Sequence, residues 1–366
     1  MSRPAPPRPK ADRPAEPGSA RRNPATPTFD DVVEVTATDG LPLNLVHPRR
    51  EQPPTRGPVV LVHGAGVRGN VFRAPVRRTL VDVLLDAGHD VWLANWRASI
   101  DLPATDWTLD QAAVHDHPAL VKAVLERTGR DSCQAVVHCQ GSTSFMMSAA
   151  AGLLPEVETV VANAVALHPI VPRWSRFKIS RLAPLVARVF DGIDPRWGDD
   201  APGPFEAALV GVVKAFHHEC NNAVCRMVSF TYGTGFPALW RHENLNTGTH
   251  AWVRTEFGRV PMTFFAQMAR CVAAGRLVSV DGFAELPAVF GVEPPTTSAK
   301  FVFLRGERNQ CFLPESMRRT YSYFQEHQPG RHRQYSFRDY GHLDVFMGRR
   351  SATDIFPIIA RELESA

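Results

Sequence analysis

The sequence predicts an α/β fold: a mostly parallel central sheet with helices on both faces and an inserted, mainly helical cap. Three observations carry this. Short continuous apolar runs such as "VVLVHG" and "VWLANW" suit strands buried on both faces. These runs alternate with segments of helical periodicity, the pattern of crossovers that build a parallel sheet. The alternation stops near residue 172 and resumes near residue 286, leaving a stretch rich in aromatics, Pro and Gly. The expected organisation is therefore a core from 29–171 and 286–366, with 172–285 as the cap.

The elements follow in order. "DVVEVTATDGLPLNLVHP" alternates apolar and polar residues around Asp39-Gly40, a hairpin pattern. "VVLVHG" is a buried strand, "FRAPVRRTLVDVLLDAGHD" a helix ending at Gly88, and "VWLANW" the next strand. "LDQAAVHDHPALVKAVLERTG" reads as a helix interrupted near Pro118 and stopped by Gly129. "CQAVVH" is a strand, "STSFMMSAAAGLL" a helix, and "TVVANAVALHPIV" a strand. After the cap come the strand "KFVFLRG", the helix "PESMRRTYSYFQEH", the strand "RQYSFRDYG" and the closing helix "SATDIFPIIARELE".

The charge is unevenly placed. Residues 1–28 hold six Arg/Lys against two acidic residues and contain eight prolines, a composition that cannot bury enough apolar area to order itself. The remaining chain carries 35 basic and 35 acidic side chains, so its body has no electrostatic footprint for nucleic acid. No apolar secretory segment follows Met1, and no stretch is long enough to span a bilayer, so a cytoplasmic location is expected. The six scattered cysteines read as reduced thiols. "HHECNNAVC" gathers His217, His218, Glu219, Cys220 and Cys225, but its spacing matches no familiar zinc pattern, and no metal and no cofactor are assigned.

Two glycine motifs compete for the chemistry. Gly64 to Gly69, "GAGVRG", fits the G-x-G-x-x-G dinucleotide fingerprint, with Asp86 or Asp90 as ribose contacts; this keeps a nicotinamide-dependent oxidoreductase open. The same loop also reads as an oxyanion loop after a strand ending in His63-Gly64. "VHCQG" decides for the second reading. It matches the nucleophile elbow G-x-S-x-G except that Val137 replaces the first glycine and Cys139 the serine. A strand enters Cys139 and a helix starts after it, so the helix N–H groups favour a thiolate. "DYGHLDVFMG" places His342 after the last strand, where a catalytic base belongs, and Asn309 follows the preceding strand where an orienting residue belongs.

These motifs resemble, in this order, the acid lipase branch of the α/β-hydrolases. "LLDAGHDVWLANWRAS", "VHDHPALVKAVLERTG", "VHCQG", "FAQMARCVAAGRLVSVDG" and "YGHLDVFMG" are similar to its segments, over roughly residues 31–363. The hydrolase-like modules of some bacterial sterol-oxidase-like proteins are similar too. Cysteine elbows resemble those of polyhydroxyalkanoate synthases and dienelactone hydrolases. The resemblance implies an α/β-hydrolase fold with Cys139 as nucleophile, His342 as base and Asn309 orienting the ring. It also implies an oxyanion hole from the backbone N–H groups of Ala65 and Gln140.

With a thiolate–imidazolium pair formed beforehand, a neutral amide suffices behind the histidine, as in Cys-His-Asn sites. Glu307 and Asp344 are nearby carboxylates that could take that place, and Ser142 and Ser144 are alternative nucleophiles. Gly64, His138, Trp96, Phe236 and Trp240 are the expected substrate contacts, with Arg97 either at the pocket rim or in a structural ion pair. Cys133, Cys271 and Cys311 read as small buried hydrophobes. The expected partner is a hydrophobic acyl substrate, including a carrier-bound thioester, turned over by hydrolysis, transfer or cyclisation. A non-catalytic hydrolase fold used for binding is the remaining alternative.

Overall fold

The computed structural model describes residues 29–364; the proline-rich tail lies outside the described residues. Eight strands form one sheet in the order β1-β2-β4-β3-β5-β6-β9-β10. Their ranges are Phe29–Thr36 (β1), Pro42–Arg49 (β2), Pro58–Val62 (β3), Asp90–Asn95 (β4), Cys133–His138 (β5), Val157–Asn163 (β6), Lys300–Gly306 (β9) and Arg333–Phe337 (β10). The hairpin predicted around Asp39-Gly40 forms, with Thr36 opposite Pro42 and Val32 opposite Val46. β2 joins β4 antiparallel, and every later pairing is parallel. β3, β4 and β5 are buried on both faces almost throughout, as their uninterrupted apolar runs require.

The order fixes where chemistry can occur. From β3 the chain crosses to β4 on one side, then returns to place β5 on the other side of β3. The carboxyl ends of β3 and β5 therefore flank the point where the winding reverses, the crevice in which open parallel sheets hold their ligands. His63-Gly64 and Cys139 stand at those two ends.

Three segments differ from the sequence expectation. The helix expected over residues 72–90 is a 3₁₀ turn at Gly69–Arg73 and a short α-helix at Leu80–Asp86. Pro75 blocks continuation, and Thr79 with Asp82 forms a reciprocal cap that starts the helix afresh. The interruption expected at Pro118 is a π turn at Ala112–Asp116 running into the helix His117–Thr128. The wider turn absorbs the proline's missing N–H without breaking the rod. β6 ends at Asn163 rather than near residue 171, because Ala164 adopts φ +58° and turns the chain off the sheet.

Residues 164–299 run between β6 and β9 without joining the main sheet. They contain the helices Pro204–Phe216, Ala223–Tyr232 and Met262–Ala274, and a two-stranded ribbon of Gly192–Ile193 (β7) and Val260–Pro261 (β8). No helix among the described residues is long and apolar enough to cross a membrane.

Candidate active site

Cys139 occupies the apex between β5 and the helix Cys139–Ala150, with φ +55°. A non-glycine residue there is strained by roughly 1–3 kcal/mol, a strain concentrated at functional sites. Gly141 makes the bend possible: a Cβ on it would sit 2.0 Å from the His63 carbonyl oxygen. Gly64 does the same from the other strand, since its Cβ would lie 2.9 Å from Cβ of Cys139. The elbow's usual first glycine is Val137, fully buried in the core and tolerated.

A ring nitrogen of His342, one of His138 and Sγ of Cys139 lie within 4.8 Å of one another. His342 reaches this place on a loop pinned through its backbone. Its N–H donates to the Leu239 carbonyl at 3.1 Å, and its carbonyl accepts from Asn163 Nδ2 at 3.2 Å. The same Asn163 amide donates to His138 Nδ1 at 2.9 Å. A carbonyl can only accept, so the amide nitrogen faces both partners, His138 Nδ1 is the bare nitrogen, and its Nε2 carries the proton. Burial, then the nearby His342, pushes His138 far down, so this ring is neutral. Asn163 thus ties strand end, elbow and histidine loop together; the sequence reading ran the strand past it to near residue 171 and did not single it out.

The Cys139 thiol is driven well below its usual range. The largest cause is a hydrogen bond from Cys311, followed by the His342 imidazole and the Gln140 N–H, all against the cost of burial. Cys311 is correspondingly pushed up, keeping its proton and donating it to the thiolate. The sequence reading of Cys311 as packing only is corrected: it lines the cavity and neighbours Cys139. Cys133 and Cys271, in contrast, are pushed up by burial to about 12 and about 11, as inert core thiols should be.

Asn309 does not bond to His342. Its Oδ1 accepts the Cys311 N–H at 2.9 Å, a local turn that satisfies the amide before it can reach the ring. His342 Nδ1 has no hydrogen-bond partner. The two substitute carboxylates are also elsewhere. Glu307 pairs with Arg305 and Ser336. Asp344 is buried, accepting from Gly341 N at 2.9 Å and Asn244 Nδ2 at 2.7 Å. Ser142 donates to the Cys139 carbonyl at 2.7 Å, and Ser144 lies 2.7 Å from His117 Nε2, deep in the core. Neither hydroxyl is available as a nucleophile.

The loop after β3 is arranged differently from a dinucleotide cradle. Gly66 N–H donates to Ala98 O and Gly69 N–H to Asn95 Oδ1, while Tyr232 caps the Ala65 carbonyl at 2.9 Å. A five-residue 3₁₀ turn follows instead of a helix whose N-terminus could hold a pyrophosphate. Asp86 pairs with Arg50 and Arg78, and Asp90 with His47. The nicotinamide reading therefore has no site.

A cavity of about 610 Å³ opens against the elbow. Gln140 and Cys311 form its floor, and Ile179, Leu209, Phe230 and Phe265 are among its walls. Phe236 lines it and is exposed. The other aromatic expectations are corrected. Trp96 is wholly buried, donating its indole N–H to the His63 carbonyl at 2.9 Å against Trp107 and His117. Trp240 is 2% exposed and packs on Phe257, outside the cavity. Arg97 holds a buried ion pair with Asp116 at 2.6 Å, extended to Asp39 at 2.9 Å.

Lys178 is the cavity's cation, its Nζ donating to the carbonyls of Phe230 and Gly233. Burial pushes it down to about 7.

No family model matches the chain. It is similar to sterol esterase 2 of Saccharomyces cerevisiae, 28% identical over 37% of this chain and 30% of that one. It is also similar to human lipase member K, 27% identical over 54% of each. The chain thus spans about half, or less, of the length of these curated relatives. A thermophilic esterase from Thermogutta terrifontis superposes with a TM-score of 0.55 at 16% identity, covering 92% of this chain and 98% of the other. The chain has the α/β-hydrolase fold.

Proposed function

We propose that this chain is a cysteine-dependent acyl-transfer enzyme that cleaves a hydrophobic ester or thioester through a thioester acyl-enzyme on Cys139. The observation that carries the reading is the thiol at the strained apex of the β5 turn, driven toward the thiolate beside His342. The similarity to a sterol esterase and to a lipase supports ester hydrolysis, and the apolar cavity supports an aliphatic or sterol-sized acyl group.

The Cys139 thiolate attacks the carbonyl carbon, forming the S–C bond while the N–H groups of Ala65 and Gln140 hold the oxyanion. His342 carries the thiol's proton and gives it to the leaving alcohol or thiol as that bond breaks. Water, or another acceptor, then attacks the thioester and passes its proton to His342, and the thiolate leaves with the acid or transferred acyl group formed. Asn309 and Cys311 act as a unit: the amide fixes the Cys311 turn, and the Cys311 S–H supports the thiolate. Residues 172–285 serve as the cap over this site. Six free thiols support a reducing, cytoplasmic location.

The test is direct. Full-length protein is quenched after mixing with medium-chain p-nitrophenyl esters and thioesters, and the intact mass is read. An acyl adduct mapping to Cys139 and missing in Cys139→Ala is expected. An adduct that survives in Cys139→Ala overturns the reading. The unpartnered His342 Nδ1 favours one competitor, a non-catalytic binding protein; that reading requires Cys139 to alkylate no faster than a free thiol at neutral pH.

A further inference from the structure

Outside this site, the segment between β6 and β9 gathers a second cluster of soft ligands. One ligand atom each from Cys220, Cys225, His242 and His250 lies within 4.8 Å of the other three. The sequence reading grouped Cys220 and Cys225 with His217, His218 and Glu219 and assigned no metal. The other two ligands arrive from a 3₁₀ turn and a short helix far along the chain, His242–Asn244 and Thr247–Trp252, so no single spacing announces them.

We propose that Cys220, Cys225, His242 and His250 form a tetrahedral site for a structural zinc-class divalent cation. Two thiols and two imidazoles are the ligand set that this ion takes in four-coordinate structural sites. The spacing agrees: Cys225 Sγ lies 3.5 Å from His242 Nε2. Sulfur at about 2.3 Å and nitrogen at about 2.0 Å from a tetrahedral ion are separated by about 3.5 Å.

The imidazoles are prepared for the task. His242 turns Nδ1 toward Glu219 Oε2 at 3.6 Å, leaving Nε2 to face the sulfurs. A carboxylate behind a histidine is the outer partner that fixes ring and tautomer in metal sites. Glu219 is itself held by the Ala238 N–H at 2.9 Å. His250 Nε2 is buried with no hydrogen-bond partner, a polar atom in want of a ligand. His217 borders the cluster, its Nδ1 on the Gly235 carbonyl and its Nε2 4.0 Å from Cys220 Sγ. Loading releases one proton from each thiol to solvent and leaves a site neutral overall. Four protein ligands leave no open position, so the ion braces and does not catalyse.

What it braces is the histidine loop. His242 belongs to the strap 238–245, whose Leu239 carbonyl accepts the His342 N–H. On the same strap, Asn244 Nδ2 donates to Asp344 Oδ2 at 2.7 Å and to the Asp339 carbonyl at 2.8 Å. The cluster is separate from the group of His138, Cys139 and His342, in which His138 is already engaged by Asn163.

The experiment uses full-length protein purified without chelator, its metal measured by mass spectrometry after exhaustive dialysis, alongside cobalt substitution read by visible absorption. One equivalent of zinc is expected in the native chain and in Cys139→Ala, with cobalt giving the thiolate charge-transfer and tetrahedral d–d bands in both. Cys220→Ser and His250→Gln should each lose roughly tenfold or more of the bound metal, and Glu219→Ala roughly 10–100-fold in affinity. If those variants do not fold, the cobalt spectrum of Cys139→Ala still decides, because its remaining thiolate donors would be those of the cluster. A native chain that binds no metal, a Cys220–Cys225 disulfide in its place, or zinc lost in Cys139→Ala but kept in Cys220→Ser would each overturn the proposal. None of these outcomes depends on whether Cys139 forms an acyl-enzyme.

Discussion

His63 Nδ1 lies 2.7 Å from the carbonyl oxygen of Gly64. The carbonyl only accepts, so Nδ1 carries the proton, and burial lowers the ring to about 4 and keeps it neutral. In a planar trans peptide the N–H points opposite to the C=O. His63 therefore sets the direction of the Ala65 N–H, one of the two proposed oxyanion donors. His63→Ala should lower kcat by roughly 10–100-fold, less than the ~10²–10³ of a lost donor, with little change in KM. Steady-state kinetics on a soluble ester checks this; a change confined to KM would contradict it.

The Cys139 thiolate predicts a flat alkylation profile. An ordinary thiol near 8.5 gains reactivity about tenfold per pH unit below that value. Cys139 should instead react with iodoacetamide at a nearly constant rate from about pH 6 to 8. Cys311→Ala removes the first cause of the shift, so its profile should slope upward over the same range. Peptide mass mapping against time at each pH provides the readout, and identical profiles for the two proteins would refute the role of Cys311.

Gly141→Ala forces a Cβ to within 2.0 Å of the His63 carbonyl oxygen, where no flexible side chain can yield. Strand and helix must separate, so stability should fall by more than about 2 kcal/mol, with acyl-enzyme formation lost. Urea melts and the mass assay measure the two effects; a native-like melt would show the elbow to be looser than described.

Arg97 and Asp116 form a buried pair, with Asp116 fully inaccessible. Asp116→Asn leaves the buried Arg97 with only the partly exposed Asp39 as counter-charge, so it should cost up to about 3–5 kcal/mol. Because the pair lies among β4, the hairpin and the helix at residue 117, the loss should appear as a lower midpoint of global unfolding. An unchanged midpoint would show that the charge finds water.

Lys178, ordinarily near 10.5, is held at about 7 by burial. Between those values the unfolded chain binds more protons than the folded one, so stability rises with pH across the window and is least below about 7. The full effect is on the order of 5 kcal/mol as an upper bound. Denaturant melts at about pH 7 and pH 9.5 should show the rise in the native chain and its absence in Lys178→Met. Equal slopes in the two would exclude it.

The sheet was legible because each buried strand is an unbroken apolar run, and the elbow because "VHCQG" keeps its second glycine. Side-chain destinations were less so. Asn309 stands where an orienting residue belongs, yet a local turn with Cys311 captures it, and competition between near and far partners leaves no trace in spacing. Trp96 and Trp240 look alike as aromatic candidates; one is sealed between strand and helix, the other beside Phe257. Cys311 reads as filler until the fold brings it to Cys139. His242 and His250 are ordinary histidines until two loops close on Cys220 and Cys225.

The imidazole of His342 is held in place by backbone bonds to Leu239 and Asn163 and by packing on His138, with nothing on its own Nδ1. Its address depends on the strap as well as on the ends of β5 and β6. Warming that loosens the strap should therefore silence turnover while the eight-stranded core still gives an unaltered circular dichroism spectrum, so the temperature of inactivation falls below that of melting.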